Sequence, residues 1–91
     1  MQIGRRVEWA NRMADMCADA LRKNSKRKVN AKQIKDSLFT VLICSSIANA
    51  RDPDVVYIQD DDVFVVWQRH NISTSVRIDS KGEIELAYDV D

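Results

Sequence analysis

Between residues 5 and 50 apolar side chains recur with the period of an α-helix, and between residues 55 and 88 they alternate as in a β-strand. Over residues 5–23, Trp9, Ala10, Met13, Met16, Cys17, Ala20 and Leu21 share one broad arc of a helical wheel. Glu8, Asn11, Arg12, Asp15, Asp19 and Arg22 occupy the other. This pattern predicts a surface helix with one buried face. It should end near Asn24, where Asn24-Ser25 supplies loop chemistry and Arg22 and Lys23 complement the negative end of the helix dipole.

A second helix is expected from Asn30, a good N-cap with Gln33 as capping-box partner, to about Ala50. Its apolar residues form two stripes on nearly opposite sides. Ile34, Leu38, Val41, Leu42 and Ala48 lie on one, and Phe39, Ile43 and Ile47 on the other. A helix apolar all round must be covered all round. Either one stripe meets helix 1 and the other the sheet, or one stripe awaits a partner.

Asp52-Pro53-Asp54 closes the helical region, because proline cannot continue a helix and the residue before it avoids helical torsions. Four strands are expected in a meander, at 55–59, 63–69, 72–78 and 83–88. The turns set their register. Asp79-Ser80-Lys81-Gly82 suits a type I turn with glycine in the left-handed position, the three-residue hairpin loop with a bulge. That turn sets Ile78 opposite Ile84, Val76 opposite Leu86 and Thr74 opposite Tyr88 on one face, with Arg77 opposite Glu85 on the other. A two-residue turn at His70-Asn71 pairs Trp67 with Thr74 and Val65 with Val76, and one at Asp60-Asp61 sends Val56 and Ile58 inward. The expected architecture is therefore α+β, two N-terminal helices packed on a four-stranded antiparallel β-meander. Its core should contain Trp9, Met13, Leu38, Leu42, Val65, Val76, Ile78 and Leu86.

The same register carries a functional consequence. The outer sheet face is polar along the last two strands (Ser73, Ser75, Arg77, Glu83, Glu85) but carries Val55, Tyr57, Phe64 and Val66 along the first two. Either helix 1 or the N-terminal segment folds over that half, or a partner docks there.

Length and composition narrow the class. With 91 residues, 45% apolar and 31% charged, the chain suits one globular domain spanning 1–91 and is not disordered. The N-terminus lacks the apolar run of a secretion signal, and the apolar stretch 38–44 is far too short to span a bilayer, so a cytoplasmic location without membrane contact is expected. Cys17 and Cys44, each expected on an apolar helix face, read as small buried hydrophobes.

A net charge of zero hides a polarised chain. Residues 1–35 hold ten Lys and Arg against three acids, and residues 36–91 hold four against eleven. Such asymmetry points either to charged partners or to attraction between the halves within the fold. Arg22, Lys23, Lys26, Arg27 and Lys28, followed by Lys32 and Lys35, form a basic 22–35 segment able to contact phosphates without reading bases. That segment has no aromatic residue for stacking, and the second helix is too apolar to act as a recognition helix.

Candidate chemistry is sparse. Asp60, Asp61 and Asp62 on a tight turn point in different directions and lack the spacing of a calcium loop. His70 has no nucleophile nearby in any known arrangement and reads as a turn residue. With Gly4 and Gly82 as the only glycines, no phosphate loop or dinucleotide fingerprint is present. The pattern thus favours a non-enzymatic binding protein, without cofactor or metal, docking another protein or a second copy of itself, as accessory, immunity or inhibitor proteins do. Val55, Tyr57, Phe64 and Val66 would be the docking face, with Asp60, Asp61 and Asp62 as a charged rim. The alternative is a nucleic-acid-binding or regulatory module using the basic segment.

Overall fold

A computed structural model describes residues 3–47 and 52–90. Helix α1 spans Ile3–Asn24 and α2 spans Ala31–Ile47. They precede a sheet of β1 (Val55–Gln59), β2 (Asp62–Arg69), β3 (Ile72–Ile78) and β4 (Ile84–Val90), in the order β1-β2-β3-β4 with every neighbouring pair antiparallel. The expected α+β meander is therefore the fold observed. The expected continuation of α2 to Ala50, including Ala48 of its first stripe, lies outside the described residues, as does the side chain of Ile47.

Each turn has a local cause. Asp60 and Asp61 both adopt positive φ (52° and 68°), as a two-residue type I′ hairpin requires, and aspartate tolerates this better than most residues. His70 is left-handed at the next hairpin (φ 50°). At the third, Gly82 has φ 86° and donates its N–H to the Asp79 carbonyl at 2.9 Å. The Asp79 carboxylate accepts the N–H groups of Lys81 (2.9 Å) and Glu83 (3.0 Å), and these bonds, the one from Glu83 above all, hold its pKa below the ordinary aspartate value. The register then follows as expected, with Ile78 opposite Ile84, Val76 opposite Leu86 and Trp67 opposite Thr74.

The two helices pack side by side on one face of the sheet. Ala10, Ala14 and Ala18 recur at four-residue steps and are buried, and the small side chains of Ala10 and Ala14 join the core with Ile34, Leu38 and Leu42 of α2. Ile34, Leu38 and Leu42 of α2 then meet Val63, Val65, Val76 and Ile78 of the sheet in a fully enclosed cluster. The second stripe is half covered. Lys35 reaches Asp15 of α1 at 2.7 Å, so Phe39 and Ile43, following Lys35 at four-residue steps, lie on the flank toward α1, where both are half-buried.

Asn30 caps α2 as expected, its Oδ1 accepting the Gln33 N–H at 3.1 Å. The reciprocal half of a capping box is replaced by tertiary contacts. The Asn30 N–H donates to the Ser80 carbonyl (2.8 Å), Ser37 Oγ donates to the Gly82 carbonyl (2.5 Å), and the Gln33 side chain lies against Gly82. The start of α2 is thus moored to the β3–β4 turn.

Several core expectations are corrected. Leu86 is 67% exposed rather than buried, and Trp9 and Met13 are half-buried. Cys17 is enclosed, with burial raising its thiol pKa, but Cys44 is an exposed free thiol. One cause accounts for Leu86. The covered inner-face residues lie mainly on the two central strands, Ile78 and Val76 of β3 and Val63, Val65 and half-buried Trp67 of β2, with half-buried Val56 of β1 beside Val65. The positions at the margins, Ile58 on one side and Ile72 with all of β4 on the other, remain exposed.

Candidate interaction surfaces

Both helices occupy one face of the sheet, which leaves the other face without a helix among the described residues. On that outer face Val55 pairs with Val66 and Tyr57 with Phe64, so the four residues form a contiguous apolar patch across β1 and β2. The Tyr57 and Phe64 rings stack with centroids 5.0 Å apart and planes inclined by 12°. Tyr57 is 40% exposed and Val55 is likewise exposed, while Phe64 and Val66 are half-buried by their neighbours. Neither α1 nor the described N-terminal residues fold over the patch.

Its border is charged but mostly self-paired. Arg77, opposite Phe64 on β3, binds Glu85 across the next strand and reaches Asp62 at 3.5 Å. Asp61 accepts the Arg27 guanidinium at 3.3 Å, and the same arginine donates to the Asp60 carbonyl at 2.8 Å. The three consecutive acids therefore diverge. Asp62 lies on the outer face with Arg77, Asp61 turns to the α1–α2 loop, and Asp60 offers its carbonyl there.

The basic segment is divided in the same way. Arg22 and Lys23 both bind Asp19 (2.5 and 3.1 Å), whose pKa is lowered by these two hydrogen bonds, Arg22 first. Arg27 is held by the β1–β2 turn and Lys35 by Asp15. Lys26, Lys28 and Lys32 are exposed, or nearly so, and form no ion pair among the described residues. Arg6 also binds Asp52, so among the described residues Arg6–Asp52 and Arg27–Asp61 join the basic and acidic halves of the chain.

A second apolar surface was not anticipated. Ile84, Leu86, Tyr88 and Val90 of β4 point to the helix side of the sheet yet are 50%, 67%, 70% and 62% exposed. With Ile72, opposite Val90, they form a shelf beside α2. The flank of α2 that runs toward it is identified by Gln33 and Ser37, which touch Gly82, and is continued by half-buried Val41 and exposed Cys44. The signal that could have marked this shelf is the composition of the helices: the narrow alanine face of α1 nests against α2 and leaves the pair too compact to reach all four strands.

Among the described residues no three His, Cys, Asp or Glu converge as metal donors, and no described helix is long and apolar enough to cross a membrane. No family model, curated protein or solved structure matches the chain.

Proposed function

We propose that the chain is a small, non-enzymatic protein-binding domain of the cytoplasm, of accessory, immunity or inhibitor type, and that its outer sheet face docks another protein. The observation that carries this reading is the stacked Tyr57–Phe64 pair, flanked by Val55 and Val66, on a sheet face without a covering helix. Aromatic residues at the centre of an apolar patch are the usual anchors of protein interfaces, and a partly polar border excludes water around them. The two cysteines, both free, suit a reducing compartment. The basic segment supports the nucleic-acid alternative less well, because four of its residues are already committed to acids of the same chain.

The test compares proteins retained from a native lysate by the wild-type chain and by the Tyr57→Ser/Phe64→Ser double variant, after nuclease treatment and at two salt concentrations. A retained protein should lose at least about 2 kcal/mol of binding energy to the variant, the scale of an interface hot spot, while helical circular dichroism is unchanged. An identical retained set for the two proteins, or partners that disappear with nuclease, would overturn the reading.

A further inference from the structure

The last strand of the sheet has an open edge, and its backbone polarity can be assigned. Asp79 donates its N–H to the Glu83 carbonyl at 3.0 Å, which makes residues 79 and 83 a hydrogen-bonded pair. In an antiparallel ladder such pairs alternate with non-bonded ones. The register Arg77↔Glu85, Ser75↔Ala87 and Ser73↔Asp89 therefore uses the N–H and C=O groups of Glu85, Ala87 and Asp89 toward β3. Those of Ile84, Leu86 and Tyr88 point away from β3, along the free edge. The residues with outward backbone groups are the same ones whose apolar side chains lie on the uncovered shelf.

A row of unpaired N–H and C=O groups at strand spacing is satisfied most fully by another strand. The floor beside it, across Ile72, Ile84, Leu86, Tyr88 and Val90, is apolar and exposed, and contiguous exposed apolar surface marks interaction sites. The opposite side of β4 carries Glu85 and Asp89 on either side of Ala87. These acids discriminate among occupants. In any two-fold antiparallel pairing of β4 with β4 of a second copy, residues of the same face meet. Glu85 and Asp89 of one copy then land opposite, or diagonal to, the acids of the other, which disfavours self-pairing.

From the free edge, the apolar shelf and the acidic reverse side together, we propose that β4 accepts an extended segment of another protein, alternating apolar and basic residues, as a fifth antiparallel strand. The apolar residues of this segment lie on the helix side of the sheet, beside Ile84, Leu86 and Tyr88. Its Lys or Arg side chains lie on the other face, where they reach Asp89 and share Glu85 with Arg77, which already binds it, the small Ala87 between the two acids leaving room for their aliphatic stems. The surface is separate from the Tyr57–Phe64 patch, so the two proposals stand or fall independently.

The test uses a fluorescein-labelled nine-residue peptide of alternating valine and lysine, with an alternating valine and glutamate peptide as control, and the intact 91-residue chain. The lysine peptide should bind at least tenfold more tightly than the glutamate peptide. Glu85→Lys/Asp89→Lys should reverse that order, and Leu86→Ser/Tyr88→Ser should weaken binding at least tenfold with circular dichroism unchanged. Tyr57→Ser/Phe64→Ser should leave it unaltered. Amide exchange supplies a second readout: the N–H groups of Leu86 and Tyr88 exchange faster than those of Ala87 and Asp89 in the free protein and slow when the lysine peptide is added. Equal binding of the two peptides, or protection that does not change at Leu86 and Tyr88, would overturn the proposal. So would a concentration-dependent dimer abolished by Leu86→Ser/Tyr88→Ser, which would assign the edge to a second copy.

Discussion

Gly82 joins three roles in one residue. Its φ of 86° closes the β3–β4 turn, its carbonyl accepts the buried Ser37 hydroxyl, and a Cβ built there would stand 2.3 Å from Gln33 Cγ and 2.8 Å from the Gln33 backbone carbon. The first requirement follows from turn chemistry and is visible in the sequence. The other two arise only when the helix is laid against the turn. Gly82→Ala should therefore cost at least about 2 kcal/mol, since left-handed strain and a backbone clash add. Chemical denaturation measures this, and a loss under about 0.5 kcal/mol would mean that α2 is not moored there. Cys44 shows the opposite case. Its position beside apolar neighbours in sequence suggests burial, but it falls on the flank beyond Ser37 and Val41, where the sheet beneath carries no covering layer.

Among the elements, α2 and β4 are both rich in apolar residues and have opposite fates. Leu38 and Leu42 are enclosed by the alanine face of α1 on one side and by β2 and β3 on the other. β4 extends the same inner face by one strand and receives no cover. Leu42→Ala should thus cost about 2 to 5 kcal/mol, as large-to-small changes in a packed core do. Leu86→Ala should stay within about 0.5 kcal/mol, as at an exposed site. Thermal and denaturant unfolding of the two variants checks the contrast, and equal costs would place β4 inside the core. The sequence pattern shows which residues share a face of a strand. It does not show how far along the sheet a neighbouring layer reaches.

For the whole molecule, the charge asymmetry between the two halves has an internal outlet. Arg6–Asp52 and Arg27–Asp61 connect them, and Lys35, Arg22 and Lys23 are held by Asp15 and Asp19 within the basic half itself. Exposed pairs of this kind are screened by solvent and add little stability, so their main effect is to reduce the field left for a polyanion. Affinity for nucleic acid should accordingly be weak, and Lys26→Gln/Lys28→Gln/Lys32→Gln should flatten its dependence on salt. Sequence-specific binding that persists in this triple variant, measured by salt titration, would overturn that expectation.

Period, turn residues and capping chemistry act over a few neighbouring positions, so the sequence by itself determined both helices, all four strands, their register and the face on which each side chain lies. The same register brings Val55, Tyr57, Phe64 and Val66 together on the outer face. Only the tertiary structure decided what covers each face, because coverage depends on where one layer stops over another. The packing of the Ala10 and Ala14 side of α1 with α2 and the mooring of α2 at Gly82 centre the helices on β2 and β3 and leave β4 bare, and no local pattern encodes that offset.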